Sequence, residues 1–268
     1  MLSVRSLLSE DGVEVADVVC THGRGRGRES EQVTTHALVF VRRGCFVRNA
    51  DGAQTLLDPT LAYFMDPQQE QRYDHPHDGG DVCTSLVLDA QLLASLWGGD
   101  PRLPHAPLPV APEFDLEHRL LLAGARAGAD RHALVERTIA LTAGMLERVD
   151  AERVASGRPA TVRARRALAD GVRELLVDRG SRSLRELAQL LAVSPHHLSR
   201  VFREITGETI SRHRMRLRAR GALERISAGE RDLAGIAAEL GFADQSHLCR
   251  VLVAETGTTP SRLRTMLA

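Results

Sequence analysis

The sequence predicts a two-domain α+β protein: a β-barrel with trailing helices, then an all-α region of two similar helical units. Three observations predict it. The stretch LRELAQLLAVSPHHLSRVFREITGETI, opening at Leu184, returns about 49 residues later as LAGIAAELGFADQSHLCRVLVAETGTTP from Leu233. Short apolar runs parted by Gly, Pro or Asp turns occupy the first 97 residues. Charge is also divided: residues 1–157 carry 15 Arg against 23 Asp and Glu, and residues 158–268 carry 20 Arg against 12. The resulting −8 and +8 cancel to the net charge of 0. An acidic half joined to a basic half points to a polyanion partner for the basic one.

A length of 268 residues suits two domains, 1–157 and 158–268. Aromatics are 3% of the chain, so the cores must be built from Leu, Val, Ile and Ala. Cys20, Cys45, Cys83 and Cys249 form no CxxC pair, which argues against a zinc ribbon or a disulfide framework. A reducing, cytoplasmic and nucleoid-associated setting is expected. The amino terminus has no basic start followed by a long apolar run, and no run reaches membrane-spanning length, so neither a signal peptide nor a membrane partner is expected.

In the first half, residues 1–12 carry no clear pattern, and VEVADVVC (Val13–Cys20) reads as a strand. GRGRGRES up to Ser30 is a loop. Thr35–Arg42, Gly44–Arg48, Gln54–Leu57, Leu61–Met65 and Asp81–Leu88 read as short strands, with an Asp-Gly turn in Asn49–Gly52. Even spacing of this kind predicts a small barrel or sandwich over about residues 1–97, with an interior able to hold a small ligand. His36, His75 and His77 are the candidate metal ligands, because His-Pro-His in an extended strand would put both rings on one side. Glu70, Asp74 and Asp78 lie near them in sequence, but no compact histidine–carboxylate spacing does. The expectation is therefore no metal, no cofactor and, with no nucleophile and base in view, no enzyme. Gly98–Phe114 carries five prolines and is an extended connection. Helical periodicity then covers about 114–155, with Leu116 and Leu120 on one stripe and Leu134, Leu141 and Met145 on another. Ser156–Pro159 is the expected linker.

In the second half, Thr161–Asp178 is a helix. Ser183 and Glu186 form a capping box ahead of Leu184–Leu191, and Ala192-Val193-Ser194 makes a tight turn. Pro195 opens the next helix and Gly207 closes it. Its stripe Leu198, Val201, Phe202, Ile205 points inward, leaving His196, Ser199, Arg200 and Arg203 outward. As a recognition helix in a major groove, it would present Arg200 to a guanine, with His196 and Ser199 on the same face and Arg203 on a phosphate. Ile210–Ser227 is a long basic helix whose arginines pair with acidic neighbours or, as with Arg212, meet phosphate. In the second unit, Leu233–Leu240, a Gly241-Phe242-Ala243 turn and Asp244–Glu255 repeat the pattern, with Gly257 as the stop. The helix-turn-helix units span 184–207 and 233–257. Arg200 and Arg250 occupy matched positions.

Two such units joined by one helix, ending in IAAELGFADQSHLCRVLVAETGTTPSRLR (Ile236–Arg264), closely resemble the AraC/XylS family of bacterial transcription regulators. The resemblance covers Thr161–Arg264 strongly. The first half is similar only in general to that family's cupin-type sensing domain. The resemblance implies base contacts from His196, Ser199 and Arg200 in the first unit and from Gln245, Ser246, Cys249 and Arg250 in the second. It also implies double-stranded DNA and RNA polymerase as partners, a small effector, a homodimer contact or both at the amino-terminal domain, and transcription activation as in most members or repression as in some. His213 departs from the family's usual Tyr, and Leu248 and Leu252 from its common Phe. Two other readings are a cupin-type metal enzyme fused to a DNA-binding domain, and a regulator whose first domain only dimerises or contacts protein.

Overall fold

The computed structural model describes residues 1–27, 30–97, 103, 106–152, 159–177 and 182–267. The expected boundary at residue 157 lies outside the described residues, as does most of the 156–159 linker.

Strands come first: β1 (Leu2–Glu10), β2 (Val13–Cys20), β3 (Gly25–Arg26), β4 (Glu31–Gln32), β5 (His36–Arg43), β6 (Phe46–Ala50), β7 (Ala53–Leu57), β8 (Leu61–Met65), β9 (Glu70–His75) and β10 (Asp81–Leu88). Helix α1 (Ala90–Trp97), β11 (Leu108–Pro109), α2 (Pro112–Ala127) and α3 (Arg131–Glu152) complete the first half. The strands make two antiparallel sheets, β1-β2-β10-β5-β8-β11 and β3-β9-β6-β7, with β4 paired to β9. Asp51 (φ +51°) and Gly52 (φ +76°) make the β6–β7 turn, where two positive φ values match the twist of a two-residue hairpin.

Strand period 2 decides what faces what. On β5, Ala37, Val39 and Val41 enter the core between the sheets with Phe46, Leu57, Tyr63 and Cys83. Leu38 and Phe40 point the other way, into a core closed by α2 and α3 through Leu121, Leu122, Leu134 and Met145. Covered on both faces, β5 reads as an unbroken apolar run. The next residue on the helix-facing side is Arg42, which is 3% exposed. The space between the sheets is also filled by Arg48, which donates to Gln69 and Gln71 and lies over the Tyr63 ring. The Tyr63 and Tyr73 hydroxyls meet at 3.2 Å.

The second half is helical: α4 (Pro159–Val177), α5 (Leu184–Leu190), α6 (Pro195–Thr206), α7 (Ile210–Ser227), α8 (Leu233–Glu239), α9 (Gln245–Thr256) and α10 (Pro260–Leu267). The chain is thus α+β, a β domain followed by a helical region. Ser183 caps α5 in a complete capping box with Glu186. The two units repeat in detail. Val193 N–H bonds the Ala188 carbonyl, and Phe242 N–H bonds that of Ala237. Thr206 Oγ1 donates to the Phe202 and Glu208 carbonyls, and Thr256 Oγ1 to those of Leu252 and Thr258. Gly207 and Gly257 are left-handed helix ends. Their cores are separate. Ala169, Leu187, Leu198 and Phe202 form the first, while Ala222, Ile236, Leu248 and Leu263 form the second. Helix α7 starts in one and ends in the other. Helix α2 also joins the second core, through Leu116, Leu120 and Ala123. No described helix is long and apolar enough to cross a membrane.

Candidate nucleic-acid interface

The outward face of α6 follows from burying its apolar stripe. Leu198, Val201 and Phe202 have no exposed surface, and this turns His196, Ser199, Arg200 and Arg203 to one side at i, i+3, i+4 and i+7. His196, Arg200 and Arg203 are exposed, and Ser199 is half-buried. Ser194 caps the helix by accepting from His197 N–H at 3.2 Å, and Pro195 occupies the first turn, where its missing N–H costs nothing. Arg200 lies 3.5 Å from Glu204, which also pairs with Arg165 at 3.3 Å. Such exposed pairs are weak enough to be exchanged for a stronger anion. Arg203 has no ion pair among the described residues.

Helix α9 is built the same way. Asp244 accepts from His247 N–H at 2.6 Å, and Leu248 and Leu252 are buried. Gln245, Ser246 and Arg250 are exposed beside a half-buried Cys249. Ser246, Cys249 and Arg250 stand 50 positions after His196, Ser199 and Arg200, so both helices offer the same face.

The arginines of α7 divide. Arg212 is exposed at its first turn. Arg214 donates to the Arg182 carbonyl, Arg216 to Glu208 at 2.8 Å and Arg218 to the Gly241 carbonyl at 2.6 Å. These three brace the turns around the helix. Arg220 is buried and reaches into the amino-terminal half, donating to the Pro59 and Val110 carbonyls.

That last contact belongs to a buried polar seam between the two halves. Glu224 of α7 accepts from Arg119 of α2 at 2.8 Å and from Arg42 of β5 at 3.2 Å. Arg42 also bonds Asp17 of β2, and Arg119 bonds Asp115 at 3.2 Å. Burial acts to raise the Asp115 carboxyl, but the Arg119 and Arg220 guanidiniums outweigh it and bring it down to about 2. Burial pushes the neighbouring His118 down to about 3, so its ring, stacked 4.7 Å from Phe40, is neutral. A few residues away, Asp58 lies 3.7 Å from His213 and 3.8 Å from Arg173. Burial acts to lower the His213 imidazole, but Asp58 and Glu208, the latter at 2.9 Å, hold it above its ordinary range. His213 therefore sits in a polar site between two carboxylates and is not an apolar filler.

The three histidines singled out in the sequence go separate ways. His36 bonds Asp66 at 3.1 Å, His77 donates to the Glu174 carbonyl of α4 at 3.3 Å, and His75 meets Asp81 at 2.8 Å. His-Pro-His does not form one face because β9 ends at His75, and Pro76 carries His77 into a turn. Sequence reasoning missed the seam residues Arg42, Asp115, Arg119 and Glu224. Their only local signal was a charge set in an apolar run, as Arg42 is in LVFVRR.

Comparison with known proteins bears on residues 187–266, which match the family model described as a helix-turn-helix domain. Over 89 residues the chain is 32% identical to the HTH-type transcriptional regulator Rv1931c of Mycobacterium tuberculosis. The match covers 33% of this chain and 34% of that protein, so the chain spans about a third of the length of this curated relative. Among solved structures, ToxT from Vibrio cholerae O395 covers 97% of the chain and is itself 99% covered, at 11% identity and a TM-score of 0.41. The DNA-binding domain of AdpA, solved in complex with a target DNA, covers 37% of this chain and is 89% covered, at 21% identity and a TM-score of 0.34. The carboxy-terminal region of this protein is a helix-turn-helix domain of the AraC type.

Proposed function

We propose that the protein is a sequence-specific, double-stranded-DNA-binding transcription regulator, divided near residue 157 into a controlling amino-terminal half and a DNA-binding half. The observation that carries this reading is the matched outward face of α6 and α9, each ending in an exposed Arg beside small polar residues. Arg200 and Arg250 read bases, with His196, Ser199, Gln245, Ser246 and Cys249 around them. Arg203 and Arg212 hold phosphates and set the register. The family resemblance supports RNA polymerase as protein partner, with activation the commoner outcome and repression the alternative, and a homodimer as one arrangement on DNA.

A small effector acting on the amino-terminal half would reach the reading heads through α7, because the buried seam ties that helix to β5 and α2. A second reading, in which the amino-terminal half takes no organic effector, is favoured by Arg48, Tyr63 and Tyr73 filling the space between the sheets. It predicts that no small organic molecule changes DNA affinity. The deciding experiment is sequencing of the genomic fragments that the full-length protein selects at about 150 mM salt, where non-specific Arg–phosphate binding is suppressed. A shared motif with two contact blocks about ten base pairs apart is expected. Enrichment without a motif would overturn the reading.

A further inference from the structure

Cys20, His75 and Asp81 come from three strands and meet at one end of the space between the sheets. Cys20 closes β2 and is the cross-strand partner of Asp81, which opens β10. His75 closes β9 in the opposite sheet. Their Sγ, Nε2 and carboxylate oxygen all lie within 4.8 Å of one another, and each residue is less than 9% exposed. Among the described residues this is the only group of three or more His, Cys, Asp or Glu so arranged. The distances are 3.5 Å from Cys20 Sγ to His75 Nε2 and 2.8 Å from that nitrogen to Asp81 Oδ1. The loop after β2 then returns His22, whose Nδ1 stands 3.2 Å from Cys20 Sγ. Cys83 Sγ donates to the other Asp81 oxygen at 3.4 Å. Gly80 keeps the opposing turn close, because a Cβ there would lie 1.8 Å from the Cys20 carbonyl oxygen.

We propose that Cys20, His75 and Asp81 bind one divalent cation of the zinc class, with the exposed His22, already 3.2 Å from Cys20 Sγ, moving in as the fourth ligand. One thiolate, two imidazoles and one carboxylate form a mixed donor set of the kind zinc accepts, softer than calcium or magnesium sites and harder than copper(I) sites. With Zn–S near 2.3 Å and Zn–N near 2.0–2.1 Å, the S···N edge of a tetrahedron is about 3.5 Å, which is the separation observed. The N···O edge is about 3.3 Å, so the Asp81 carboxylate retreats by about 0.5 Å from its hydrogen bond when the ion enters. Binding replaces the Cys20 S–H bond with a sulfur–metal bond, whose proton leaves to solvent, and frees His75 Nε2 by moving its proton to Nδ1. The turn between His75 and Asp81 also carries His77, which touches α4, so the ion site and the seating of the helical half share a turn.

The test uses full-length protein stripped with a chelator and titrated with cobalt(II) alone, followed by zinc(II). The expected result is one cobalt per chain, a near-ultraviolet thiolate-to-cobalt charge-transfer band, strong visible bands of a tetrahedral ion, and loss of all of them on adding zinc. C20S should abolish the charge-transfer band. H75N and D81N should weaken binding by at least about 100-fold, the upper end of what loss of even an outer partner costs. H22A should weaken it less, and H36N should leave it unchanged. Circular dichroism checks each variant for folding, and H75N keeps the thiol, so an unfolded C20S does not decide the matter. Absence of a thiolate band at stoichiometric cobalt would overturn the proposal. So would a band that survives C20S, or an H36N effect equal to that of H75N. No DNA enters the measurement, so this outcome is independent of the DNA-binding reading.

Discussion

The Arg119 guanidinium on α2 donates to the Glu224 carboxylate on α7 across 2.8 Å, joining the two halves of the chain through a charge pair. Arg42 donates to the same carboxylate from β5. Glu224 thus bridges two arginines that are each no more than 3% exposed, and that share it with Asp17 and Asp115. Removing one partner of a buried pair leaves an uncompensated charge, which costs about 3–5 kcal/mol. Glu224 keeps 21% of its side chain exposed, so E224Q should fall at the low end, about 3 kcal/mol. Urea denaturation followed by circular dichroism measures it. A loss under about 1 kcal/mol would mean that the seam is not compensated through Glu224.

Two buried histidines should give the stability curve opposite slopes in pH. The His213 pKa is raised when folded, so its contribution is present below about pH 6.5 and is lost as pH rises through the folded value. His118 is held at about 3, so its contribution is present above about pH 6.5 and is lost as pH falls toward 3. H213N should therefore cost more stability at pH 6 than at pH 9, and H118L should flatten the loss on acidification from about pH 6 to 4. Denaturation midpoints across pH check both. The reverse order for H213N would show that its imidazole is neutral in the folded protein.

On the DNA side, R200A should lower affinity for the selected motif by about 1–3 kcal/mol and relax one base position. R203A should weaken all sequences alike and reduce the slope of log affinity against log salt by about 1. Fluorescence anisotropy with motif and scrambled duplexes separates the two. Equal losses on both duplexes for R200A would reassign it to phosphate.

The turn of the first unit is strained where that of the second is not. Ala192 has φ +53°, and its counterpart Gly241 has φ +75°. A left-handed Ala costs about 1–2 kcal/mol, while Gly loses about 0.4–1 kcal/mol more entropy on folding. A192G should then stabilise the protein by about 0.5–1 kcal/mol, read as a higher urea midpoint. A lower midpoint would sink the argument.

Much of the architecture was legible locally. Leu61–Met65 and Asp81–Leu88 are strands where the apolar runs and turn residues put them, and Ser183, Ser194 and Asp232 cap the helices they precede. Two long strands escaped, besides the two-residue β3, β4 and β11. β1 has a mostly exposed edge and therefore no apolar period. β9 hides Gln71 and His75 behind partners on other strands, so its buried residues are polar.

What the sequence by itself determined was the period of each segment, the doubled helical unit, and which residues of α6 and α9 turn outward. Those properties depend on neighbours three or four positions away along one helix. Tertiary structure alone decided the rest. It aimed Arg42 at Glu224, buried Arg220 against Pro59, and gave His213 its carboxylates. It parted His36 from His75 and set Cys20 beside His75 and Asp81. A charge or a histidine takes its role from groups far away in the chain, and no local period records which of them it will meet.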